Sequence, residues 1–177
     1  AKINLVLNIV GKSSLLHKIE SIIAFIDLHD VIMIKRTNSK NHSITFTGKF
    51  SKNINKKNTV SSLLQILEKK KLLKNKKFKI KINKKIPNKA GLGGGSMNAA
   101  NILKYFIKRK IIKLNNKKVF EISKLVGSDV ILGLNSTSTI LTSKNKIKSF
   151  KKIKKFYTLI VKPNFGCSTK SIYAKVR

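Results

Sequence analysis

At 177 residues the chain is long enough for one domain with a buried core and short for two, and a hydrophobic content of 41% separates it from disordered chains. Lys and Arg number 40 against 6 Asp and Glu, a formal charge of +34 that ordinarily points to nucleic acid or an acidic membrane surface. Only Arg36, Arg109 and Arg177 are arginines, however, and the lysines run from Lys2 to Lys175 without interleaved aromatics, whereas specific base readout favours Arg and stacking; no specific nucleic-acid partner is expected.

INLVLNIV (3–10) alternates well enough for a strand, and IIAFIDLHDVIMIK (22–35) gives a second extended apolar stretch. SITFTGKF (43–50) reads as a third, exposed strand. Val60, Leu63, Leu64, Leu67 and Leu72 fall largely at helical spacing, with Asn58 and Thr59 as candidate caps. FKIKI (78–82) alternates cleanly as a strand that stops by Pro87. Beyond a glycine-rich stretch, Met97, Ala100, Leu103, Tyr105, Phe106 and Ile107 predict a helix, and residues 119–126 predict another. STSTILTS (136–143) and FYTLIVKP (156–163) read as strands, with turn residues 144–146 between them. Strands precede and follow helices without regular βαβ alternation, which predicts an α+β domain over residues 1–163. There is no internal repeat and no linker-like stretch.

No apolar run approaches the roughly 20 residues that span a bilayer, and AKINLVLNIVGK lacks a signal peptide's basic start and cleavage site. A cytoplasmic protein without a membrane partner is expected. Cys167 has no second cysteine to pair with, and His17, His29 and His42 show no metal-ligand spacing.

The residues GLGGG (91–95) place four glycines in five positions between a predicted strand and a predicted helix. Glycines there let backbone N–H groups approach a ligand without Cβ interference, and the following helix adds the positive end of its dipole, which suits a phosphate. Ser96 can cap that helix or offer its hydroxyl to a phosphate or metal. The alternative is a tight turn with no ligand. The stretch is not a P-loop, since Gly95 stands where that motif needs lysine, and it lacks the early position and the following acidic residue of a dinucleotide fingerprint.

PNKAGLGGGSMNAA (87–100) is similar to the ATP-binding motif of the GHMP kinases, the family of galactokinase, homoserine kinase, mevalonate kinase and phosphomevalonate kinase. Other stretches agree in the family's order: AKINLVL at the start, HKIES followed by DLHD, KKNTV before the first helix, GSDV (127–130) and KPNFGCSTKSIY (162–173). Within the family the resemblance is to the branch that phosphorylates 4-diphosphocytidyl-2-C-methyl-D-erythritol in non-mevalonate isoprenoid synthesis. It implies ATP with Mg2+, transfer of the γ-phosphoryl to the substrate's 2-hydroxyl, and a nucleotide site at Pro87, Ala90, Gly91, Leu92, Gly93, Gly94, Gly95, Ser96 and Asn98. By the same resemblance Lys2 and Asp129 are the catalytic pair, while Asn4 and His17 meet the substrate. The pairing is chemically sensible, because an Asp can accept the hydroxyl proton while a nearby ammonium keeps it ionised.

The chain also departs from the family pattern. Ser14, Leu15 and Leu16 replace the usual Asp-Gly-Tyr before His17, which removes an aromatic stacking partner for cytosine, and residues 131–136 replace the Pro, aromatic and glycine residues that usually follow Asp129. Family members are longer, so residues 164–177 are expected to begin a C-terminal domain that is absent or only begun. A truncated, inactive kinase-derived protein that keeps nucleotide binding, and a basic nucleic-acid-binding module, are the alternative readings.

Overall fold

The computed structural model describes residues 1–12, 17–135, 137–143, 147–150 and 157–163. In chain order the elements are β1 (Lys2–Lys12), β2 (His17–Phe25), β3 (Val31–Thr37), β4 (Ser43–Thr47), α1 (Thr59–Lys69), β5 (Lys77–Asn83), α2 (Gly94–Lys108), α3 (Asn116–Val126), α4 (Val130–Asn135), β6 (Thr139–Leu141) and β7 (Ile147–Ser149). The sequence reading takes 1–163 as one domain, whereas the described residues gather into two compact units. One comprises Ala1–Asp27, Asn88–Leu92 and the described part of Ser136–Arg177, and the other Leu28–Pro87 with Gly93–Asn135. The division follows strand pairing, since each unit holds its own sheet.

In the first unit the sheet order is β1-β2-β6-β7, antiparallel throughout. β1 and β2 pair along most of their length with irregularities between Asn4 and Val6 and between Ile9 and Gly11, which re-aim side chains along β1. Ile23, Ala24, Ser21 and Thr139 are buried there.

The second unit is built on β5. Its sequence KFKIKIN alternates, so that Phe78, Ile80 and Ile82 are buried while the lysines between them turn outward. β5 lies between β3, which is antiparallel to it, and β4, which is parallel to it. Val60, Leu63, Leu64 and Leu67 on α1, and Ala99, Ala100, Ile102, Leu103 and Phe106 on α2, join the β5 residues in one core with Ile112, Ile122 and Val130. Burying a Leu, Ile or Phe side chain of this kind contributes roughly 1.5 to 3 kcal/mol. Asn58 starts α1: its Oδ1 accepts from the Val60 and Ser61 N–H groups at 3.0 and 3.1 Å, and the Ser61 hydroxyl returns a contact to the Asn58 N–H at 2.9 Å.

Three expectations change. The apolar stretch 22–35 is two strands in different sheets, broken at residues 26–30, where Asp27 and Asp30 interrupt the apolar run. Residues 130–135 form the short helix α4, which the sequence does not announce. Residues 157–163, read as part of a strand, have no strand assignment, and Tyr157, Leu159 and Val161 are exposed; alternation makes a strand only where a neighbour supplies the hydrogen bonds. The predicted turn at 144–146, Cys167 and the KPNFGCSTKSIY segment beyond Pro163 lie outside the described residues.

Candidate active site

The glycine-rich stretch leads into α2, whose N-cap is Gly93 in the left-handed region at φ 66° and ψ 15°. No side chain caps this helix, whereas Asn58 caps α1 and Asn115 caps α3. The first N–H groups of a helix have no intrahelical acceptor, so the start of α2 presents open donors at the positive end of its dipole. Ser96, read as a possible cap, lies inside the first turn instead, because the glycine backbone supplies the N-cap geometry. Its Oγ faces the 127–129 turn: a Cβ built on Gly127 would stand 3.9 Å from it.

The glycines are bare for different reasons. At Gly91, with φ +71°, a Cβ would meet nothing within 4 Å, so that residue leaves open space in a conformation that favours glycine. At Gly94 a Cβ would come within 3.0 Å of Ile86 Cγ2 and 3.3 Å of Lys84 Nζ, and at Gly95 within 2.8 Å of Thr59 Oγ1. Ligand approach was the reason read from the sequence; at Gly94 and Gly95 the chain's own close packing is a further one. Leu92 is buried and its carbonyl accepts from the Lys2 N–H at 3.1 Å, while Pro87 and Ala90 are half-buried.

Lys2 opens β1 with only 8% of its surface exposed. Its Nζ donates to Asn4 Oδ1 at 2.6 Å, Asn4 Nδ2 donates to Ser21 Oγ at 2.6 Å, and the Ser21 hydroxyl donates to the Val6 carbonyl at 2.7 Å. Lys2 and Asn4 therefore share a strand face as their spacing predicts, and the relay fixes the Asn4 amide with its oxygen toward the ammonium. Ser21 is a member the sequence reading missed, though it stands in the quoted HKIES. His17 begins β2 opposite Lys12; its side chain, like residues 13–16, lies outside the described residues.

Asp129 is half-buried in the turn between α3 and α4, which Gly127 shapes by donating its N–H to Ser123 O and accepting from Val130 N–H, both at 3.1 Å. Lys2 belongs to the first unit and Asp129 to the second.

A further cluster was not read from the sequence beyond the DLHD match. Asp30, its side chain fully buried, accepts from the Lys85 and Ile86 N–H groups on Oδ1, each at 2.8 Å, and on Oδ2 from Asn98 Nδ2 at 2.8 Å and from the Lys84 ammonium. Burial alone would push this carboxyl up; Lys84, the Ile86 amide and the Asn98 amide outweigh it and hold the group below its ordinary value of 3.8. Asn98, assigned to the nucleotide site, thus turns its buried side chain inward to Asp30.

Among the described residues no three His, Cys, Asp or Glu gather as a metal site. A cavity of about 240 Å³ in the second unit is lined by Lys70, Leu72, Leu114, Lys118, Glu121 and Ile122 and shares no residue with the clusters above.

Residues 58–140, which run from the cap of α1 into β6, match the family model described as "GHMP kinases N terminal domain". That stretch is similar to the N-terminal domain of the GHMP kinases. The chain is 60% identical to a 4-diphosphocytidyl-2-C-methyl-D-erythritol kinase of Pelagibacter ubique over 99% of its own length and 63% of that protein's. A kinase of the same name from Clostridium botulinum is 32% identical over 100% of the chain and 63% of the relative. In fold, the chain superposes on a crystal structure of 4-(cytidine 5'-diphospho)-2C-methyl-D-erythritol kinase with a TM-score of 0.72 at 21% identity, covering 99% of this chain and 62% of that one. A homoserine kinase from Cytophaga hutchinsonii gives a TM-score of 0.60 at 18% identity, over 88% of this chain and 53% of that one. The chain thus spans under two thirds of the length of these relatives, and the GHMP fold expected from the motifs is the fold found.

Proposed function

We propose that this chain supplies the nucleotide-binding and phosphoryl-transfer machinery of a small-molecule kinase. The reaction moves the γ-phosphoryl of ATP to the 2-hydroxyl of 4-diphosphocytidyl-2-C-methyl-D-erythritol in non-mevalonate isoprenoid synthesis, in the cytoplasm. The observation that carries the reading is the uncapped N-terminus of α2, with Gly93 in the left-handed region at its head, inside the segment that matches the family. The 60% identity to a kinase of that name supports the choice of acceptor.

In this reading the open N–H groups of α2 and its dipole hold phosphate oxygens, and the Ser96 hydroxyl adds a donor beside them. Asp129 accepts the proton of the 2-hydroxyl as that oxygen bonds to the γ-phosphorus, and the bond from phosphorus to the bridging oxygen breaks to release ADP. Lys2, its ammonium fixed by the Asn4 and Ser21 relay, offsets charge on the transferring group. Magnesium, when bound, neutralises phosphate charge. Of the described residues, Ser96 in the first turn of α2 would offer it a hydroxyl beside the phosphate oxygens.

The test uses the whole natural protein with ATP, magnesium and the acceptor. Asp129→Asn is expected to lower kcat by about 100- to 10,000-fold with ATP affinity unchanged, Lys2→Met to be slow as well, and the double variant to be little worse than the worse single one. Normal turnover with Asn at 129 would contradict the role of Asp129. ATP binding with no transfer to this acceptor by the wild type would favour a kinase-derived protein that has kept the nucleotide and lost the reaction.

A further inference from the structure

The segment 87–93 that carries the proposed phosphate loop has fixed ends, and one side chain fixes both. Asp30 Oδ1 takes the backbone N–H groups of Lys85 and Ile86, which immediately precede the loop. Oδ2 takes the side-chain amide of Asn98, which follows it on the second turn of α2, and the Lys84 ammonium. That ammonium is itself placed at the first turn, 3.3 Å from where a Gly94 Cβ would stand. A cation there opposes the helix dipole, and a buried one needs a partner; Asp30 supplies the compensating charge and leaves the pair neutral beside the open N–H groups. A loop rich in glycine has the most backbone freedom to lose when it closes on a ligand, so anchoring its ends beforehand lowers that entropy loss.

We propose that Asp30 is a positioning residue for the nucleotide: it clamps the two ends of the glycine loop and sets the first turn of α2 in the geometry that receives phosphate. The proposal rests on the reading of that loop as the phosphate site. Asp30 touches no reacting atom in this account.

Asp30→Asn separates the two ends, because the remaining Oδ1 still accepts from Lys85 and Ile86 while the new amide cannot accept from Asn98 or Lys84. Asp30→Asn with Lys84→Met removes the unpaired ammonium as well and keeps the clamp testable in a charge-neutral background. In the whole natural protein, both variants should exchange the backbone amides of 88–93 about tenfold faster than wild type and bind ATP about tenfold more weakly by calorimetry, with the affinity for 4-diphosphocytidyl-2-C-methyl-D-erythritol unchanged. A folded variant that melts earlier but keeps wild-type loop exchange and ATP affinity would overturn the proposal and leave Asp30 a purely structural ion pair. Failure of the wild-type protein itself to bind ATP would instead overturn the phosphate-loop reading, so the wild-type control tells the two failures apart.

Discussion

His42 is a buried imidazole, and its burial makes stability depend on pH. The side chain is 8% exposed and stacks on Phe78 with ring centroids 5.9 Å apart and planes inclined by 8°. Nδ1 accepts the Phe78 N–H at 3.0 Å, while Nε2 lies 3.2 Å from Glu68 Oε1 but out of line for a hydrogen bond. Burial lowers the imidazole's pKa from 6.5; Glu68 pulls it up, Lys77 on the same carboxylate pushes it down, and the net direction is down. The unfolded chain therefore binds a proton at a pH where the folded one does not. The stability this confers is fully present above 6.5 and is lost as the pH falls toward the folded value. Urea unfolding between pH 7.5 and 5.5 should show stability falling with acid, this residue contributing less than about 1.4 kcal/mol per pH unit. His42→Gln, which keeps an acceptor for the Phe78 N–H, should flatten that part of the slope; identical slopes in the two proteins would remove His42 as the cause.

Among the elements, α4 turns on a glycine where two effects of opposite sign compete. Replacing Gly133 by Ala in an unobstructed helix would stabilise it by up to about 1 kcal/mol. Here the new Cβ would stand 2.7 Å from the Ala100 Cβ and 3.1 Å from Met97 Sδ, and an Ala Cβ cannot swing away. Overpacking of this kind costs roughly 1 to 3 kcal/mol, so Gly133→Ala should lower the unfolding free energy, as a shifted urea midpoint would show; a gain in stability would mean that α4 sits farther from α2 than described. The elements most legible in the sequence were those whose burial pattern matches their own period: β5, with every second residue inside, and α1, with its Asn58 cap and its Leu63, Leu64 and Leu67 face. α4 was illegible because VILGLN is too short to display a period, and residues 22–35 misled because an apolar run does not say which sheet each half joins. The glycine loop and the shared face of Lys2 and Asn4 could be read; the Asp30 clamp and Ser21 could not, since both depend on partners from 15 to 68 positions away along the chain.

For the molecule as a whole, the charge of +34 favours polyanions generally, so attraction alone cannot mark a nucleotide site. What distinguishes a built site from diffuse attraction is position: phosphates should settle at the start of α2, and salt, whose screening length is about 8 Å at physiological strength, should weaken scattered contacts with exposed lysines more than that one. No described helix is long and apolar enough to cross a membrane. The direct measurement is a titration of the whole natural protein with ATP, followed through the backbone amide resonances at physiological ionic strength. The amides of Gly91 through Ser96 should shift and saturate together. Saturable shifts confined to residues lining the cavity at Leu114 and Ile122, with the amides of Gly93 to Ser96 unmoved, would contradict it.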